Sequence, residues 1–149
     1  MSLDPDIERA AVTLLAARDH SRQELRRKLD IRGFASADID AVLDDLTERS
    51  LLDEARMAEA YVDERSRKGF GPVRIRHELR QKGLESDQIE RHLVSDTDHL
   101  LDLIKTAHDR KYGEELPADP RERARRGRFL EYRGFPGDLI RRFLDCSPE

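Results

Sequence analysis

Three glycines, Gly33, Gly83 and Gly134, recur in matching surroundings 50 and then 51 residues apart. This self-similarity restricts the fold more than any other feature of the chain. The segments LRRKLDIRGFASADIDAVL (25–43), IRHELRQKGLESDQIERHL (75–93) and RGRFLEYRGFPGDLIRRFL (126–144) superimpose on it. Four residues before each glycine stand Leu29, Leu79 and Leu130, and one residue after it Phe34, Leu84 and Phe135. Six residues after it stand Ile39, Ile89 and Ile140, and ten after it Leu43, Leu93 and Leu144. A chain that repeats itself in this way is built from related modules, each stacked on its neighbour.

Each module reads as helices. Ser21 with Glu24 three residues on is a capping box, in which two orphan N–H groups are satisfied reciprocally. In the next module the corresponding helix opens at Gly71-Pro72, with proline where its missing N–H costs nothing. The shared glycine is the left-handed residue that ends this helix, and the apolar residue after it folds back onto the cap. A further helix then starts with Ser36 or Ser86 as N-cap. Another precedes each pair: one from Asp4-Pro5 carrying Ile7, Ala11, Leu14 and Leu15, one capped by Asp53 with Met57, Tyr61 and Val62. The third carries Leu100, Leu101, Leu103, Ile104 and Ala107 and ends at Gly113. ELPADP (115–120) reads as a loop, because its prolines stop a helix. The expected fold is all-α: three tandem three-helix repeats over residues 1–50, 51–95 and 96–149. Modules of about 50 residues are marginal alone, so neighbours should share buried surface in an elongated, curved array.

Composition agrees with thin modules. Hydrophobic residues are 37% of the chain and charged residues 40%, which suits helices with one buried stripe and a wide wet face. The net charge is −4, so the molecule as a whole is no polybasic nucleic-acid binder, yet its charges are segregated. Residues 38–59 hold eight acids against two bases, whereas residues 65–82 hold seven Arg or Lys against one acid. Residues 85–102 are acidic again, and residues 121–133 carry six Arg against two Glu. Such patches can steer a partner when net charge does not.

The densest basic stretch is GPVRIRHELRQKGL (71–84). At 100° per residue, Ile75 and Leu79 share the core side, while Arg74, Arg76, His77 and Arg80 lie on the flank and far side. That arc should be exposed with few acids beside it, Glu78 being nearer the core edge. Arg65, Arg67 and Lys68 precede it through a glycine-containing turn. The first module offers Arg26, Arg27 and Lys28, the third Arg121, Arg123, Arg125, Arg126 and Arg128. Arg126 stands where the repeat has Ile75, so the second helix of the third module must pack differently or start later, with Phe129 and Leu130 as its core contact. Arginine clusters suit phosphate or carboxylate, because the guanidinium fork donates two parallel hydrogen bonds. The competing reading is an ordinary solvated face.

Little else carries chemistry. His20, His77, His92, His99 and His108 lack zinc-site spacing, and the single cysteine, Cys146, excludes an internal disulfide. There is no phosphate-binding glycine loop, and KGFGP has no strand before it, so it is a turn. No enzyme activity, metal or cofactor is expected. No apolar run is long enough to span a membrane and no signal-peptide pattern opens the chain, so a cytoplasmic location is expected.

RDHSRQELRRKL (18–29), LLDEARMAEAYVDERSRKGFGPVRIRHELRQKG (51–83), KYGEELP (111–117) and RFLEYRGF (128–135) resemble the RecX family of regulatory proteins over nearly the whole chain. The resemblance implies binding to the RecA recombinase and its filament on single-stranded DNA. Recombinase, ATPase and co-protease activities in DNA repair and the SOS response would be modulated, usually downward. It would place the contact with the filament, and with DNA inside it, on the basic middle module; the residues nominated there from their position and charge are Arg67, Lys68, Arg74, Arg76 and Arg80, with Lys82 a poorer candidate because it points toward the core. The alternatives are a direct DNA-binding helical module with no recombinase partner, and a helical scaffold whose arginines only solvate it. A monomer is expected, since no long apolar seam is left for a second copy.

Overall fold

The computed structural model describes residues 3–145; Cys146 lies outside them. Among the described residues there are nine α-helices and no strand. They are α1 (Pro5–Ala17), α2 (Arg22–Ile31), α3 (Ser36–Glu48), α4 (Glu54–Arg67), α5 (Pro72–Gln81), α6 (Ser86–His92), α7 (Thr97–Tyr112), α8 (Pro120–Arg133) and α9 (Gly137–Leu144). The chain divides into two compact units. One comprises residues up to Ala60 together with Leu79–Ile89, the other Tyr61–Glu78 together with residues from Glu90 on. No helix among the described residues is long and apolar enough to cross a membrane.

Most helix starts follow from the sequence. The Asp4 carboxylate accepts from the N–H groups of Asp6 and Ile7 at the head of α1, with Pro5 behind it in the first helical turn. Both halves of the Ser21–Glu24 capping box form at 3.1 and 3.0 Å. Asp53 accepts from Arg56 N–H at 3.0 Å, and Asp96 from His99 N–H at 3.0 Å. Gly33, Gly83 and Gly134 all take positive φ, 91°, 92° and 101°. The apolar residue after the glycine turns its N–H back to the helix, as Leu84 does to the Leu79 carbonyl and Phe135 to the Leu130 carbonyl, both at 3.2 Å.

Three details differ from the sequence reading. Ser36 and Ser86 are the first helical residues rather than N-caps; Ala35 occupies the cap of α3 without a side-chain bond. Glu85, just before α6, instead donates its N–H to Gln88 Oε1 at 2.9 Å. Of the loop prolines, Pro120 does not stop a helix but opens α8 behind the Asp119 cap. Finally, α8 starts earlier than its counterparts, not later: it begins 14 residues before its glycine, where α2 and α5 begin 11 before theirs.

Each unit has its own apolar core. In the first, α1, α2 and α3 bury Ile7, Ala11, Leu25, Leu29, Ile39, Val42, Leu43 and Leu46 around one another, with Phe34 packed at the edge. In the second, α7, α8 and α9 bury Ile104, Ala107, Leu130, Phe135, Ile140 and Leu144, with Phe129 and Phe143 beside them. Trimming a fully buried leucine such as Leu29 or Leu130 to alanine should cost about 2–5 kcal/mol.

One junction is built twice from equivalent repeat positions. In the first unit the start of α2 meets the end of α5: Ser21 Oγ donates to the Lys82 carbonyl at 2.6 Å, and Lys82 Nζ reaches Glu24 at 3.1 Å. In the second unit the start of α5 meets the end of α8: Gly71 N–H donates to the Arg133 carbonyl at 2.8 Å and Val73 N–H to the Gly134 carbonyl at 2.9 Å. In both, carbonyls left over at one helix end are satisfied by the start of another helix, through backbone N–H groups in the second unit and the Ser21 hydroxyl in the first, with favourable dipole alignment. The approach is so close that a Cβ on Gly71 would stand 2.5 Å from the Gly134 oxygen.

Candidate partner-binding surface

In the second unit the turn between α4 and α5 is organised around Phe70. The guanidinium of Arg65 lies 3.9 Å from the ring centroid, that of Arg74 4.4 Å and that of Arg133 4.7 Å. Such cation–ring contacts are worth roughly 0.5–1 kcal/mol each at partly exposed sites. Glu78 offsets part of the charge, accepting two bonds from Arg65 at 3.0 and 2.9 Å and standing 3.7 Å from Arg74 Nε. Arg74 also donates to the Tyr132 carbonyl at 3.4 Å. Arg65 and Arg74 therefore brace this turn.

The six cations nominated from the sequence have different settings. In the second unit Arg67 is exposed and paired with Asp63, and Lys68 pairs with Glu64 at 3.1 Å, each across one turn of α4. Arg76 is half-exposed and bonded to Glu90 of α6 at 2.6 Å. In the first unit Lys82 is held in the junction by Glu24. Arg80, also in that unit, is exposed and forms no ion pair among the described residues. The expectation of few acids beside this arc is therefore corrected: Asp63, Glu64, Glu78, Glu90 and Glu24 each neutralise one of the six.

Apart from Glu78, the acids were hidden from a wheel drawn on α5 alone. Asp63 and Glu64 precede their partners by four residues and could have been found by that spacing. Glu90 and Glu24 come from other helices, and nothing local signals them. Exposed pairs such as Arg67–Asp63, Lys68–Glu64 and Arg76–Glu90 are screened by solvent and contribute little. A partner carboxylate or phosphate can therefore take these three cations at small loss, whereas taking Arg74 or Lys82 dismantles a packed contact.

The helix start of α2 in the first unit holds a second group of buried polar side chains. Burial disfavours the Glu24 carboxylate, but hydrogen bonds from Arg18, the Ser21 N–H and Lys82 outweigh it and hold the carboxyl at about 2. His20 is buried, with Nδ1 3.0 Å from the Arg18 carbonyl and Nε2 2.8 Å from Lys28 Nζ. An ammonium can only donate, so Nε2 accepts and Nδ1 carries the proton. Burial lowers the pKa of this ring below its ordinary value, with Arg18 and Lys28 adding to it. These groups fasten the junction rather than face a ligand, and among the described residues no three His, Cys, Asp or Glu could share a metal ion.

Arg126 shows how the third repeat accommodates its odd residue. Its side chain is only 14% exposed. It donates to the Glu115 carbonyl at 2.8 Å, contacts His108 Nε2 at 3.1 Å and Glu122 at 3.2 Å, and lies 4.7 Å from the Tyr112 ring centroid. The extra first turn of α8 supplies Glu122 and a polar lining for the arginine where the second repeat has buried Ile75.

Comparison with known proteins gives a consistent result over this whole architecture. Models of the first, second and third three-helix domains of RecX match residues 9–46, 53–93 and 98–144. Regulatory protein RecX of Pseudomonas syringae pv. tomato is 49% identical over 138 residues, covering 93% of this chain and 89% of its own. Regulatory protein RecX of Ectopseudomonas mendocina is 47% identical over 138 residues, covering 93% and 92%. The crystal structure of RecX from Lactobacillus salivarius superposes with a TM-score of 0.80 at 21% identity, covering 95% of this chain and 96% of that one, a likeness of fold.

Proposed function

Since the chain belongs to the RecX family of regulatory proteins, we propose that it binds the RecA recombinase filament on single-stranded DNA and lowers recombinase, ATPase and co-protease activities. The observation that carries the reading is the match of all three repeat modules to the family, in order, from residue 9 to residue 144. Its mechanism needs no covalent chemistry: occupying filament surface shifts the balance between assembled and free recombinase by mass action. It acts as a monomer in the cytoplasm, where the filament forms.

The contact residues proposed here are Arg67, Lys68, Arg76 and Arg80. Arg80 has no competing acid, and the other three give up only weak exposed pairs. Arg74 and Lys82, nominated with them, are assigned to the fold, because Glu78, Phe70 and Tyr132 hold the first and Glu24 holds the second. The test is co-sedimentation with recombinase filaments assembled on single-stranded DNA. Arg80→Glu should release the chain several-fold more readily than the native protein at unchanged helix content. Equal retention of native and variant chains would displace the site while leaving the regulator reading in place; no retention of the native chain would remove the reading itself.

A further inference from the structure

The second unit contains a recess of about 280 Å³ where the end of α4 meets α7 and α8. Four cations wall it, Lys68, Arg110, Lys111 and Arg133, with Phe129 as its apolar side. Two of them are fixed by main-chain carbonyls at the end of α4: Arg110 Nη1 donates to Arg67 O at 3.0 Å and Arg133 Nη1 to Lys68 O at 3.3 Å. A carbonyl orients a guanidinium without neutralising it, so both keep their charge and their remaining N–H groups. Lys111 is held over the Phe129 ring at 4.7 Å, and Arg133 lies 5.2 Å from the same ring. Among the described residues none of Arg110, Lys111 and Arg133 forms an ion pair; the only carboxylate engaged at the recess is Glu64, on Lys68.

A concentration of like charge without counter-charge is unfavourable unless an anion fills it, and guanidinium forks favour phosphate geometry. Lys111 and Arg133 both lie over the Phe129 ring, so a base stacking there would have to displace a cation. The recess thus fits the phosphate and not the base. A second observation favours a strand over a free anion. On α8, Arg121, Arg125 and Arg128 follow at one-turn spacing on the solvent side, ending at Tyr132, which is 76% exposed. Of these arginines only Arg125 has an acid near, Glu122 at 3.6 Å. A lone phosphate has no use for that row; a chain of phosphates does.

We propose that the Lys68–Arg110–Lys111–Arg133 recess binds a backbone phosphate of a single nucleic-acid strand, which continues along the arginine row of α8. The site does not depend on the recombinase reading, because it acts in the chain alone. Lys111 is the residue to change, since it caps no helix. A labelled oligothymidylate is titrated with the native chain and with Lys111→Gln at a series of salt concentrations. The variant should bind several-fold more weakly, with a log–log salt slope shallower by about 0.7, the share of one phosphate contact on a single strand. Lys105→Gln removes the same charge from the same helix at a lysine tied to Asp109 and should leave both quantities unchanged. The oligonucleotide should also shift the Gly69 amide resonance of the native chain, and shift that of Lys111→Gln less at the same concentration. Equal losses in the two variants, no binding of the native chain at low salt, or a Gly69 shift with inorganic phosphate but not with the oligonucleotide would each overturn the proposal.

Discussion

Gly134 carries two burdens at once, a φ of 101° and a backbone pressed against Arg74 of the opposing helix start. Gly33, its counterpart in the first repeat, has φ 91° but open space around its Cβ position. Gly33→Ala should therefore cost only the left-handed strain, about 1–2 kcal/mol. Gly134→Ala should add overpacking of roughly 1–3 kcal/mol. Urea unfolding measures both; equal losses would show that the junction yields to the extra methyl group. The repeat alignment pointed to both glycines but could not separate them, because the space around each is decided by a segment more than 50 residues away. Arg126 is a similar case. The sequence marked it as a misfit, yet only the fold shows that His108 and the Glu115 carbonyl receive it. Arg126→Leu restores the apolar pattern of the repeat and should nevertheless destabilise by about 1–3 kcal/mol, since the buried His108 Nε2 loses its donor. A gain in thermal midpoint would contradict this.

At the scale of the element, the start of α2 is a small pH-responsive fastening. His20 is held neutral, so the unfolded chain binds its proton first, and stability should begin to fall as pH drops below the ordinary histidine value of 6.5. Glu24 is held ionised down to about 2, so its contribution is complete above 4.5 and is lost as pH falls from 4.5 toward 2. Allowing for solvent screening, that second loss is on the order of 2 kcal/mol. Glu24→Gln should flatten the acid limb of a stability–pH curve while leaving the limb near pH 6.5 in place; an unchanged acid limb would refute the assignment. Here the capping box was legible residue by residue, because it lies within four positions. Lys82, which completes it, was read only as pointing toward the core, since its partner comes from another repeat. At α3 the cap position falls on Ala35, one residue before the serine, and no side-chain cap is made there.

For the whole molecule, the all-α repeat was legible because its signal, apolar residues at fixed offsets from a left-handed glycine, is written three times. Charge was harder. Residue counts showed where cations are dense but not which of them are free, and the distinction depends on Glu90, Glu24 and the carbonyls at the end of α4, which the fold brings in from elsewhere. The function proposed for this RecX-family chain rests on exposed cations of α4 and α5 contacting a recombinase filament. The most direct measurement is recombinase ATP hydrolysis on single-stranded DNA, titrated with the native chain and with Arg76→Glu/Arg80→Glu. The account predicts that the native chain suppresses hydrolysis progressively and that the folded double variant needs a several-fold higher concentration for the same effect. Hydrolysis that stays constant through the native titration would contradict it.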